Sequence, residues 1–372
     1  MRSQEAGVPA VHTLPIAPAE RLAAEGRRAW TRFERASARI PGYQALRDRL
    51  WLRRFPGVET GQNLFTHFPF LFSDAFPKAR LGQVRELSVA ALFLLYHILI
   101  NDELFDQPAA PPYEAVLLSG AYQIRGWQAL SRAMGPRRMP WKEFVAQYDQ
   151  YNAAVYVECR DHRHGPQPYT RADLIRVVSR RCAVSKTITS ALCVIGGRPS
   201  VRGPLARSLD YYWLADSMLD DLRDWKKDFA NNRFSYLLTA AIEELQRRTK
   251  LEDIPEPRRP SAIRTTIYCS GLLDRYLDDM LGYLEQAQAA AAPVGSSTWS
   301  SCLDTATARA YATQADFRKA LREMNLQTAP HARGAGAAER RGPACDGVSP
   351  GVRSTEAPAG RILVAQHGRR IG

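Results

Sequence analysis

Apolar residues recur three and four positions apart through most of the chain, the spacing that gathers them on one face of an α-helix. No convincing run alternates apolar and polar residues as a half-buried strand would. The pattern predicts helices near 17–38, 43–54, 81–103, 113–134, 140–160, 170–195, 204–230, 233–249, 260–290 and 297–325. Breaks separate them: GPRRMP at 135–140, GGRPSVRGP at 196–204 and IPEPRRPS at 254–261. The expectation is an all-α, single-domain helical bundle of about ten helices over residues 17–327. Residues 1–16 are expected to be loose, and 328–372, rich in Gly, Ala, Pro and Arg, to be a disordered tail.

The 372 residues are 45% hydrophobic and 24% charged, enough apolar side chain for a large core. The most apolar run, LSVAALFLLYHILI at 87–100, is shorter than the ~20 residues a spanning helix needs and leads into acidic residues. It reads as a buried core helix. The opening MRSQEAGVPAV lacks the charged-then-apolar layout of a signal peptide. Six cysteines include no C-x-x-C pair, so a reduced, cytoplasmic chain is the simplest setting. The CRDHRH stretch at 159–164 has no second Cys/His cluster to complete four zinc ligands. A net charge of +13 raises nucleic acid or an anionic membrane surface as partners. Yet the charge is mostly dispersed arginine, without a basic helix or interleaved aromatics. No nucleic-acid partner and no stable membrane anchor are expected, and the sign of the charge also suits an anionic small substrate.

Two acidic segments change the picture. DDLRDWKKD at 220–228 places Asp220, Asp224 and Asp228 at i, i+4 and i+8, one stripe of like charge that destabilises an isolated helix. The long apolar helix ends in INDELFDQ, with Asp102 and Asp106 again four apart. Carboxylates closing a buried helix are costly unless solvated, paired or bound to metal. Oxygen ligands of this kind suit Mg²⁺, which takes a few carboxylates, keeps waters and shares phosphate oxygens. Either cluster alone could be a solvated polar face; two of them, each flanked by apolar residues, point to a metal site for Asp102, Asp106, Asp220, Asp224 and Asp228.

Basic residues fit an anionic ligand. SRRCAVSKTITSALCVIGG at 179–197 sets Arg180, Arg181 and Lys186 on an otherwise apolar helix, where an unpaired ammonium is unfavourable. Lys227, Arg233 and Tyr236 follow the second acidic stripe. Arginine binds phosphate oxygens bidentately and lysine acts as a point charge, so Arg181, Lys186, Lys227, Arg233 and Tyr236 are the candidate diphosphate donors.

With these motifs in place the chain resembles the class I isoprenoid synthases. DELFD is similar to their first aspartate-rich motif, D-D-x-x-D, with Glu103 in second place. DDLRDWKKD resembles the N-D-x-x-S-x-x-K-E metal motif of terpene synthases, with Asp220, Asp221, Asp224, Lys227 and Asp228 in the five places. It reads equally as the D-D-x-x-D of trans-prenyltransferases. LRDWKKDFANNRFSYL is similar to a segment of squalene and phytoene synthases, and SKTITSAL to the Lys-Thr helix of chain-elongating enzymes. No Gly-Gly-Lys/Arg segment precedes the first motif, a departure from chain elongation.

The resemblance implies helices around a central cavity, three Mg²⁺ ions with basic side chains holding a prenyl diphosphate, and an admissible homodimer. It implies a terpene synthase, a cyclase or diphosphate lyase that ionises the substrate while water is excluded and aromatic faces stabilise cations. Phe65, Phe68, Phe70, Phe72, Phe93, Tyr96, Tyr211, Tyr212 and Trp213 are candidates for those faces, two or three at most. A head-to-head condensing enzyme like squalene or phytoene synthase is the alternative. A basic helical protein that binds nucleic acid or a membrane surface without chemistry is the non-enzymatic one.

Overall fold

A computed structural model describes residues 16–44, 64–106, 113–135, 140–163 and 168–328. Among them are eleven α-helices and no strand. The helices are α1 (Ile16–Ser37), α2 (Leu81–Asp106), α3 (Tyr113–Met134), α4 (Trp141–Val157), α5 (Arg171–Arg181), α6 (Ala183–Ile195) and α7 (Arg202–Ala230). After them come α8 (Tyr236–Gln246), α9 (Arg259–Cys269), α10 (Leu272–Ala291) and α11 (Ser297–Thr328). The expected helix at 43–54, the loose N-terminus and the tail lie almost wholly outside the described residues.

Two expected helices are each a pair. The 170–195 segment breaks at Cys182, whose ψ of 10° ends α5. The Ser179 carbonyl released there accepts from Lys186 Nζ at 2.5 Å, and Ser185 Oγ donates to Cys182 O, the first acceptor of α6, at 2.6 Å. The 260–290 segment breaks at Gly271, whose φ of 77° favours glycine. Where α5 begins, Thr170 and Asp173 form a reciprocal capping box.

The core is built around α2, which packs on α1, α3, α6 and the short 3-10 turns between Leu64 and Leu71. Gly126 of α3 lets the two helices approach, since a Cβ there would lie 2.7 Å from Leu94. On the other side α7 packs against α5, α6, α8 and α10. Among the described residues, Leu81–Asp102 is the one stretch long and apolar enough to cross a membrane, and other helices bury most of it. The sides of α3 and α4 turned from the core are apolar as well. Tyr113, Val116, Leu117 and Ile124 on α3 and Trp141, Val145 and Tyr156 on α4 are all exposed.

Candidate active site

Five helices and the 3-10 turns line a cavity of about 820 Å³, including the part open to solvent. Helix α2 contributes Ala91, Leu95, Ile98 and Asp102, a stripe at i, i+4, i+7 and i+11. Helix α7 contributes Trp213, Ser217 and Asp220, again at i, i+4 and i+7. Each stripe is apolar at its start and ends in a carboxylate. Phe65 and Phe68 come from the 3-10 turns, Val178, Arg181 and Cys182 from the end of α5 and the break, and Val184, Ser185 and Ile188 from α6. Phe65 and Trp213 stack almost parallel, with centroids 5.8 Å apart. Ser185 Oγ accepts from Trp213 Nε1 at 3.0 Å and fixes the indole.

At the acidic end Arg181 bridges two elements. It donates to Glu158 Oε1 at 3.0 Å and lies 3.7 Å from Asp102 Oδ2. Glu158 opens the π-helical turn Glu158–Arg163 that continues α4. All three side chains are nine-tenths buried, so the guanidinium offsets charge that burial would otherwise penalise. Asp220 is engaged at the surface side by Arg223, 3.3 Å away.

The remaining expected site residues take other positions. Asp224, half-buried, follows Asp220 one turn further along α7, and Asp228 a turn beyond that. Neither they nor Lys227, Arg233 or Tyr236 is among the cavity's lining. Arg233 follows α7, its backbone N–H donating to Asp228 O at 2.8 Å. Tyr236 opens α8 and stacks on Tyr276 at 5.6 Å. The side chains of Glu103 and Asp106 lie outside the described ones. Lys186 is turned to α7, where it donates to Asp210 Oδ1 at 2.8 Å. Burial favours its neutral form, but Cys182 and Asp210 outweigh burial and hold its pKa above the usual lysine value. Asp221 faces the α7–α10 core and accepts from Tyr276 at 3.3 Å. Burial, with Asp228 and Asp220 nearby, pushes its carboxyl far up.

Of the nine aromatics singled out, Phe65, Phe68 and Trp213 line the cavity. Phe93 and Tyr96 belong to a cluster with Phe33 and Tyr122, and Phe72 and Tyr212 pack on Trp299. Tyr151 and Glu158 were not foreseen. The stripes could have been found by counting back from Asp102 and Asp220 in steps of three and four.

Three solved structures share this architecture. A polyprenyl synthase from Roseobacter denitrificans superposes with a TM-score of 0.58 at 17% identity, over 79% of this chain and 98% of that one. A polyprenyl synthase from Caulobacter crescentus, complexed with calcium and isoprenyl diphosphate, gives 0.59 at 16% identity, over 79% and 96%. A geranylgeranyl pyrophosphate synthetase from the archaeon Geoglobus acetivorans gives 0.58 at 14%, over 78% and 99%. The chain has the all-α isoprenyl synthase fold. No protein-family model matches it, and no curated protein sequence does.

On that fold the donor chemistry can be weighed against a divalent ion. Asp102 and Asp220 line one cavity from two helices, and carboxylates of this sort share Mg²⁺ with waters and phosphate oxygens. Among the described residues no three acidic, histidine or cysteine groups gather closely enough to hold an ion by themselves. The set fits a metal held jointly with an anionic ligand rather than in a closed protein cage.

The face of α2 turned from the cavity carries a buried polar network. His97 Nδ1 lies 2.8 Å from Ser119 Oγ, which donates to Asn101 Oδ1 at 2.6 Å, and His97 Nε2 contacts the Tyr148 hydroxyl. Burial depresses the His97 pKa below its usual value of 6.5. The folded state therefore holds His97 neutral while the unfolded chain takes up a proton. This contribution is present above pH 6.5 and is lost as pH falls through the folded pKa. Urea midpoints are expected to drop between pH 7.5 and 5, and His97→Gln to flatten that drop.

Proposed function

We propose that the chain is a class I terpene synthase that ionises one prenyl diphosphate to a terpene product and pyrophosphate. The observation that carries this reading is a single cavity with an aromatic, apolar end and an acidic end. The apolar end matches a prenyl chain. Arg181 meets the anionic oxygens of the diphosphate by charge-assisted hydrogen bonds. Asp102 and Asp220 would hold Mg²⁺, with Asp106, Asp224 and Asp228 continuing their two stripes. When bound, the metal supplies Lewis-acid stabilisation of the departing pyrophosphate.

The chain's own residues do the rest. Phe65 and Trp213 stack almost parallel in the cavity wall, and an aromatic face attracts a cation that comes within about 6 Å of it. The Ser185 hydroxyl, a nucleophile at the cavity wall, is engaged twice, donating to Cys182 O and accepting from Trp213. The missing Gly-Gly-Lys/Arg segment favours one substrate over chain elongation. The test is incubation with geranyl, farnesyl or geranylgeranyl diphosphate plus Mg²⁺, each with and without isopentenyl diphosphate, followed by mass spectrometry. A terpene from one substrate alone supports the reading. Longer diphosphates made only with isopentenyl diphosphate, or a doubled prenyl product, would replace it with elongation or condensation.

A second copy of the chain is the partner that fits the exposed α3–α4 face. Seven large apolar residues on these two helices are half- to mostly exposed, and exposed apolar surface of this kind marks contact with another protein. On α4 the exposed Lys142 and Asp149 lie seven positions apart among Val145, Asn152 and Tyr156. An antiparallel two-fold packing of α4 on its copy with the axis beside Val145 sets Lys142 opposite Asp149 twice. Lys142→Glu and Asp149→Lys are each expected to shift a dimer to monomer by sedimentation, and the double variant to restore it. A monomeric parent protein at micromolar concentration would remove this assignment.

A further inference from the structure

Tyr151 lies on α4, seven residues before Glu158 and on the same helical face. It lines the cavity at the acidic end, and only 2% of it is exposed. Its hydroxyl is buried, and among the described residues it has no hydrogen-bond partner. A buried hydroxyl without a partner is costly, which calls for an explanation. The charges around it are informative. Asp102 and Arg181 line the same cavity. Tyr151 thus shares the acidic end with the Asp102–Arg181 pair as a phenol, which keeps its proton at neutral pH.

A neutral O–H in this place can donate but has nothing to donate to until an acceptor enters. The Arg181 guanidinium favours an anionic oxygen as that acceptor, and a cation shared with Asp102 would offset the repulsion of its carboxylate.

We infer that Tyr151 is a further binding residue, its hydroxyl donating to a diphosphate oxygen held between Arg181 and the acidic stripes. This rests on the prenyl diphosphate reading and adds a donor to it. The rigid helix α4 and the ring contact with Tyr148, 5.7 Å between centroids, fix the phenol before the ligand arrives. No ordering of that side chain is then needed on binding, which favours affinity.

The consequence separates binding from packing. Tyr151→Phe keeps the ring and removes the unsatisfied hydroxyl, so the unliganded protein should be as stable as the parent or more so. Its affinity for inorganic pyrophosphate in Mg²⁺ should fall about tenfold, the loss expected for one hydrogen bond to a charged group. Calorimetry with full-length parent, Tyr151→Phe and Arg181→Gln proteins gives the comparison, with thermal midpoints taken without ligand. Weakened binding in both variants and an undiminished midpoint in Tyr151→Phe is the expected result. Parent-like affinity in Tyr151→Phe while Arg181→Gln loses affinity overturns the role of Tyr151 and leaves the diphosphate site standing. Parent-like affinity in both overturns the diphosphate reading itself.

Discussion

Asp102→Asn and Asp220→Asn are each expected to lower prenyl diphosphate turnover roughly a hundred- to a thousandfold, the scale of losing one charge-stabilising group. The reason is placement. These carboxylates end the two apolar stripes of the cavity, on α2 and α7. A ligand that binds only the folded state raises stability by RT ln(1 + [L]/Kd), about 2.7 kcal/mol at a hundredfold excess. Mg²⁺ and pyrophosphate that share coordination should therefore stabilise the parent more together than the two do separately. Either asparagine variant should lose that joint effect while keeping its unliganded melting transition. Asp102→Asn leaves Arg181 on Glu158, and Asp220→Asn removes one member of a like-charged stripe. A protein that bound nucleic acid or a membrane surface would respond in the opposite sense, binding unchanged or improved as negative charge is removed. Parent-like Mg²⁺-dependent turnover in both variants would end the metal-site assignment.

Much of this arrangement can be read from the sequence because helical periodicity is a local property. Asp102 follows Ala91, Leu95 and Ile98 at helical spacing, so an apolar run ending in a carboxylate already says that the acid closes a buried face. Asp220 stands in the same relation to Trp213 and Ser217. Lys186 shows where the method stops. Its apolar neighbours say that the ammonium needs a partner, and the expected partner was diphosphate. The break at Cys182 swings α6 relative to α5, and the partner that results is Asp210 on α7. Nothing in RCAVSK announces that break, since neither glycine nor proline marks it. Asp221 was matched to a metal motif by alignment of letters, but its position next to Asp220 is 100° round the helix and faces the core. Glu158 and Tyr151 carry no pattern at all, because their meaning comes from Arg181 and Asp102, which are distant in the chain.

The aromatic wall of the cavity depends on a residue far from it, and Trp299→Ala is expected to destabilise the fold by about 3–5 kcal/mol. Trp299 is fully buried in the first turn of α11. Its ring meets Phe72 at 5.0 Å and Tyr212 at 5.2 Å, and Tyr212 in turn meets Trp213 at 4.8 Å. Its indole N–H donates to Ser208 Oγ at 2.8 Å, while that hydroxyl donates to Ala287 O at 2.9 Å. One side chain thus joins the 3-10 segment, α7, α10 and α11 behind the cavity. Truncation to alanine removes the ring contacts and leaves a cavity that four elements must share. Trp299→Phe keeps most of the ring and loses the indole donor, so its cost should be smaller, about 1–2 kcal/mol. Ser208→Ala removes the same hydrogen bond from the other side and should cost a similar amount. In the double variant Trp299→Phe/Ser208→Ala the two losses should fall short of additive, because they delete one shared interaction. Urea unfolding of the four proteins measures all of these values. A Trp299→Ala unfolding free energy within about 1 kcal/mol of the parent would mean that α11 does not support the wall.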